Sequence, residues 1–132
     1  MASIFSKIVS GDIPAYKVAE DAEYLAFLDI NPLAKGHVLV IPKQEVDYIF
    51  DMDDHAYAGL MLFAKKVALS IRKVVPCERI GMTVMGLEVP HAHVHLVPMN
   101  SIGDMNFASA KLNFSKEEME DTAQAIAAQF AG

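Results

Sequence analysis

Apolar Ile4, Phe5 and Ile8 recur at helical spacing between Ser3, which can cap a helix, and Gly11, which can end one. The pattern predicts a short helix over Ser3 to Val9. Asp12-Ile13-Pro14 reads as a loop into a strand at Tyr16 to Ala19. Glu20 to Glu23 reads as a turn and Tyr24 to Leu28 as the returning strand of a hairpin. Asn31-Pro32 marks a turn. Gly36 then opens the run His37-Val38-Leu39-Val40-Ile41, a buried strand that stops at Pro42. After Asp53 and Asp54, Leu60, Phe63, Ala64, Val67, Ala68 and Ile71 trace one face of a long helix. Lys65, Lys66, Arg72 and Lys73 lie elsewhere on it, and Pro76 ends it. Acid at its start and base at its end suit the helix dipole. Arg79 to Met85 reads as a strand, Gly86 to Pro90 as a turn, and His91 to Val97 as a strand ending at Pro98. Asn100 to Asn113 is a loop without a regular pattern. Ser115-Lys116-Glu117-Glu118 is a capping box for a last helix to about Phe130, with Met119, Ala123, Ile126 and Phe130 on one side. This order predicts one α+β domain over residues 1–132 with a mainly antiparallel sheet.

Composition narrows the picture. The chain is 53% hydrophobic and 21% charged, which excludes disorder and leaves room for apolar surface between subunits. The formal charge of −6 argues against electrostatic binding to nucleic acid or to anionic membranes. It does not oppose a small phosphate ligand held by local donors. No stretch is long and apolar enough to span a bilayer, and the N-terminus lacks the apolar core of a signal peptide, so a cytoplasmic protein is expected. The single cysteine, Cys77, can form neither an internal disulfide nor a multi-cysteine zinc site, and reads as a small residue at a helix exit.

Three of the five histidines lie in His91-Ala92-His93-Val94-His95. In a strand, His91, His93 and His95 share one face, with neighbours roughly 6.5–7 Å apart, while Ala92, Val94 and Leu96 face the core. Three imidazoles together fit two chemistries. One is metal ligation. The other is nucleophilic attack on phosphorus, with flanking histidines orienting the attacker and donating to phosphate oxygens.

The run HAHVHLV resembles the His-φ-His-φ-His-φ-φ signature of the histidine-triad (HIT) family. Ser3-Ile4-Phe5-Ser6-Lys7-Ile8-Val9 is similar to the family's opening helix. Tyr24 to Pro32 and Gly36 to Lys43 are similar to its next two landmarks. The resemblance covers about residues 4–98, leaving a C-terminal loop and helix over about 99–130. It implies the HIT-like fold and a soluble homodimer, with the long helix and the strand near Arg79 as interface elements. The implied enzyme is a nucleotide hydrolase or nucleotidyl transferase that needs no cofactor. Its substrate would be a purine nucleoside phosphoramidate, a nucleotide adduct or a dinucleoside polyphosphate, attacked at the α-phosphorus to give a nucleotidyl-histidine.

Carried onto this chain, the resemblance makes His93 the nucleophile. His95 becomes a donor to phosphate oxygens, His91 an ordering residue, and His37 a fourth histidine beside the triad. An imidazole, with an ordinary pKa of about 6.5, is largely neutral at cytoplasmic pH and can attack through one nitrogen if the other is fixed. His37 also reads as a buried histidine satisfied by backbone. Asp29 matches the residue that holds the ribose hydroxyls, a role suited to a carboxylate, and equally reads as a turn former before Asn31-Pro32. Ile4, Phe5, Ile8, Phe27 and Ile30 match the apolar pocket for the base; each also reads as plain core.

Two departures stand out. Many family members carry a Gly-Gln-Ser/Thr-Val loop before the triad; here it is Gly86-Leu87-Glu88-Val89 after a shorter stretch, as in a bacterial branch of the family. A carboxylate at Glu88 would repel phosphate unless it points away or grips a cationic leaving group. Some members also bind structural zinc through two cysteines of the opening helix and histidines elsewhere. Ser3 and Ser6 stand at those cysteine positions and Glu45 near a further histidine's place, so no metal is expected. The alternatives to the enzyme are an AMP-binding protein of low turnover and a metal-binding protein using the three histidines.

Overall fold

The computed structural model describes residues 2–130. Helix α1 (Ile4–Ser10) is followed by strands β1 (Lys17–Glu20), β2 (Tyr24–Leu28) and β3 (Val38–Pro42). Helix α2 (Asp54–Val74), strands β4 (Arg79–Thr83) and β5 (Val94–Met99) and helix α3 (Lys116–Gln129) complete the chain. Two short 3-10 turns, Ile49–Asp51 and Ile102–Met105, lie where periodicity predicts nothing regular.

The helix ends follow the sequence signals. The Ser3 hydroxyl accepts the Ser6 N–H, and Gly11 closes α1 in the left-handed region at φ 86°. Asp53 accepts the Ala56 N–H, and Ser115 and Glu118 form the reciprocal capping box of α3.

All five strands pair antiparallel in the order β1-β2-β3-β5-β4. On one face Ala26, Val38, Val40, Val94 and Leu96 pack against Leu60, Val67 and Ile71 of α2 and Met119, Ala123 and Ile126 of α3. On the other, Leu25, Phe27, Leu39 and Ile41 pack against Phe5 and Ile8 of α1. Strands β2 and β3 are thus covered on both faces, which is why YLAFL and VLVIP are continuous apolar runs and not alternating ones. Among the described residues no helix is long and apolar enough to cross a membrane.

Four strands differ from expectation, β3 by starting one residue later, at Val38, and taking in Pro42. β1 begins one residue later, at Lys17. β4 stops at Thr83, two residues short of Met85, because its partner β5 has no ladder before Val94. β5 itself starts at Val94 and runs through Pro98 to Met99. Pairing with β3 ends at Leu96, so at Pro98 one side of the strand has no ladder to interrupt.

Candidate active site

His95 pairs with Leu39 and lies on the α1 side of the sheet, while Ala92, Val94 and Leu96 join the core under α2. The alternation expected over 91–97 is present, but His91 and His93 sit in extended chain before the ladder begins. The His93 and His95 rings lie edge to face with centroids 4.9 Å apart. The three rings are also not presented in one open row. His91 is fully buried, turned into the seam between α1 and β3.

The hydrogen-bond partners assign each ring's tautomer. The His93 Nδ1 lies 2.8 Å from the His91 carbonyl, which can only accept. Nδ1 therefore carries the proton and Nε2 keeps its lone pair. The His91 Nε2–H donates to the Pro42 carbonyl at 2.8 Å, leaving Nδ1 to accept from the Ser3 hydroxyl at 2.8 Å. The Leu33 N–H donates to His37 Nδ1 at 3.0 Å. A neutral His37 then carries its proton on Nε2 and donates it to His95 Nδ1 at 3.1 Å. That leaves the remaining proton of His95 on Nε2.

Burial holds the His37 and His95 rings neutral. It pushes His37 down to about 3, with His95 and Lys111 adding to the effect. It pushes His95 down to about 4, with the neighbouring His93 adding. Burial also lowers His91, against the opposing pull of the Pro42 carbonyl and Glu45. The two readings of His37 therefore coincide: it is a buried histidine with a backbone donor, and it is also the residue that sets the tautomer of His95.

A cavity of about 240 Å³ opens beside His93 and His95, with Ile4, Phe5, Ile8, Phe27, Asp29 and Ile30 in its wall. Phe5, Ile8 and Phe27 are at once core and cavity wall. Ile4 and Ile30 are 49% and 70% exposed, so a plain core role does not describe them. Asp29 forms the expected turn and also lines the cavity. One carboxylate oxygen accepts the Asn31 N–H at 2.8 Å in the turn, and the other lies 3.6 Å from His37 Nε2. Burial raises the Asp29 carboxyl above its ordinary value; the charge of Glu88 adds to this, and the Asn31 N–H opposes it.

Periodicity does not reveal several further neighbours of the site. Phe107 stands edge-on to His95 with centroids 4.7 Å apart and 6.1 Å from His37. Lys111 donates to the Phe107 and Ser109 carbonyls, and the Leu112 N–H donates to the Pro32 carbonyl. The 100–113 loop thus lies against the histidines and the Asn31-Pro32 turn. Glu88 and Val89 also line the cavity, which brings the acidic departure before the triad to the site itself.

The HIT domain family profile matches residues 10–102. The chain belongs to the HIT family. An adenosine 5'-monophosphoramidase of Schizosaccharomyces pombe is 40% identical to it over 103 residues, 74% of each chain. Among solved structures, a Hit-like protein involved in cell-cycle regulation from Bartonella henselae aligns with TM-score 0.84 and 28% identity, covering 96% of this chain and 95% of that one. A zinc-bound histidine triad family protein from Mycobacterium smegmatis aligns with TM-score 0.83 and 28% identity, covering 99% and 94%.

The zinc of that HIT relative prompts a test of fit here. Ser3, Ser6, Glu45 and His91 do converge, but as a hydrogen-bonded set: both hydroxyls are committed to partners, and neutral hydroxyls are poor zinc ligands. Asp29, His37 and His95 also offer atoms within 4.8 Å of one another. There His37 Nδ1 accepts the Leu33 N–H, so a neutral ring has its proton, not a lone pair, on the Nε2 that a metal would need. Neither set fits a metal ion.

Proposed function

We propose that this HIT-family protein is a nucleotidyl hydrolase or transferase acting in the cytoplasm through a nucleotidyl-His93 intermediate. The observation that carries this reading is the 2.8 Å contact from His93 Nδ1 to the His91 carbonyl, which leaves the Nε2 lone pair free beside the cavity. Nε2 attacks the α-phosphorus, and the leaving group departs with the electron pair of its bond to phosphorus. Positive charge that builds on the ring is stabilised through Nδ1–H by the same carbonyl. The His95 Nε2–H donates to a phosphate oxygen, oriented by His37. Asp29 accepts from the ribose hydroxyls, and Ile4, Phe5, Ile8, Phe27 and Ile30 hold the base. Water or another acceptor then attacks the phosphorus and restores His93.

The phosphoramidase relative favours a phosphorus–nitrogen substrate. A fluorogenic adenosine phosphoramidate tests this. Release of the amine by the purified protein is the expected result. AMP binding without release would instead support a nucleotide-binding protein of low turnover, the reading favoured by Glu88 at the cavity wall.

We also read the protein as a homodimer. Strand β4 is an unpaired sheet edge, and Met82 on it is exposed, as are Leu62 and Leu69 on α2. A groove of about 440 Å³ beside β4, lined by Tyr48, Phe50, Tyr57, Met82 and Met85, contains no histidine and fits this role better than a catalytic one. Sedimentation equilibrium should give twice the chain mass, and Met82→Glu should shift it to the monomer. A monomeric wild type would reject this assembly.

A further inference from the structure

The chain that leaves β3 runs alongside the histidines. The Pro42 carbonyl takes the His91 Nε2–H, and the Val46 carbonyl takes the Ala92 N–H at 2.7 Å. Between these two anchors Glu45 reaches across to α1. Its Oε1 accepts the Ser3 N–H and the Ser6 hydroxyl, both at 2.6 Å. This fixes the direction of every bond behind it. The one hydrogen of the Ser6 hydroxyl is committed to Glu45, so it is not available to His91 Nδ1, 3.4 Å away. The Ser3 hydroxyl already accepts the Ser6 N–H at 3.0 Å, and of its two acceptors it gives its own hydrogen to the nearer, His91 Nδ1 at 2.8 Å, rather than to the Ser6 oxygen at 3.3 Å. His91 then holds one tautomer, and its backbone carbonyl receives the Nδ1–H of His93.

We propose that Glu45 is a positioning residue for the reaction, ordering the Ser6–Ser3–His91 chain so that His93 is held with its Nε2 free. This rests on the reading of His93 as nucleophile. Glu45 suits the task because it is only an acceptor and its two hydrogen bonds are charge-assisted. These bonds keep its carboxyl ionised, down to about 2. The same contact ties α1 to the histidine segment. Helix α1 carries Phe5, whose ring stands edge-on to His93 with centroids 5.0 Å apart. Without Glu45, the Ser3 N–H loses its acceptor and the Ser6 hydroxyl is free to turn toward His91. The Ser3–His91 bond is then one of two competing patterns, and the Pro42 and Val46 carbonyls alone are left to hold the His91 ring and the peptide whose carbonyl orients His93.

The test compares Glu45→Ala and Glu45→Gln in the full chain by imidazole ¹⁵N spectra and by turnover. In the wild type His93 shows the single Nδ1–H tautomer. In Glu45→Ala that signal should become a tautomer mixture, with kcat lowered about 10- to 100-fold, the size expected of a misplaced reacting group, and KM nearly unchanged. Glu45→Gln, whose amide oxygen can accept the same two bonds, should restore both the spectrum and most of kcat. If Glu45→Ala does not fold, Glu45→Asp, whose carboxylate is one methylene too short to keep both bonds, should shift the spectrum in the same direction. An unchanged His93 tautomer in the folded variant overturns the proposal, whatever its kcat. The spectra need no substrate, so this failure is distinct from a wild type that turns nothing over.

Discussion

His93→Ala lowers kcat toward an adenosine phosphoramidate by about 10⁴-fold or more, the scale seen when a covalent nucleophile is removed. AMP binding in the same variant stays within about threefold, since in the proposed function the ribose and base are held by other residues and binding and chemistry separate in this way. The expectation follows from the tautomers. His95 has its Nδ1 occupied by His37 and its Nε2 protonated, and His91 is buried with both nitrogens engaged. Within the triad, only His93 Nε2 offers a lone pair to the cavity, so no neighbour can substitute for it. Single-turnover kinetics with the purified variant check this; a loss below about tenfold would mean that another group attacks, since an essential nucleophile costs far more.

Acidification from pH 7 to 4.5 removes on the order of 5 kcal/mol of folding stability, at about 1.4 kcal/mol per pH unit for each buried imidazole that must stay neutral. The sign follows from the lowered values. His37 and His95 sit at about 3 and about 4 in the folded chain, against 6.5 when unfolded. Between those limits the unfolded chain binds more protons than the native one, so stability falls as pH falls. The loss begins near pH 6.5 and continues to about 4 for His95 and about 3 for His37. It is large beside the roughly 5–15 kcal/mol of a typical domain. Urea unfolding at the two pH values measures it directly. His37→Gln should reduce the slope by about one imidazole's share. A stability that is flat over this range would mean that the buried pair is not held neutral.

Most of the architecture is legible in the sequence because its signals are local. Ser3 and Ser115 cap the helices they were expected to cap, Gly11 ends the first, and Asp53, read only as preceding the long helix, caps it. The runs at Tyr24–Leu28 and Val38–Ile41 form the doubly covered centre of the sheet. What periodicity cannot show is where pairing stops. The histidine segment reads as continuous strand, yet β3 reaches only to Val94, and this frees His91 to turn inward. The approach of Phe107 and Lys111 to the histidines depends on an irregular loop whose path is set by single contacts such as Leu112 to Pro32. Ser3, Ser6 and Glu45 were visible as a departure from a zinc-binding pattern. That they form a hydrogen-bonded chain ending on His91 depends on side chains from α1 and the segment after β3, 42 residues apart in sequence at Ser3 and Glu45.

The most direct test is rapid acid-free quenching of the wild type during turnover of an adenosine phosphoramidate, followed by peptide mass spectrometry. A nucleotidyl group on His93, formed and lost at rates that match turnover, is the predicted result. Turnover with no adduct, or an adduct on any other residue, would contradict it.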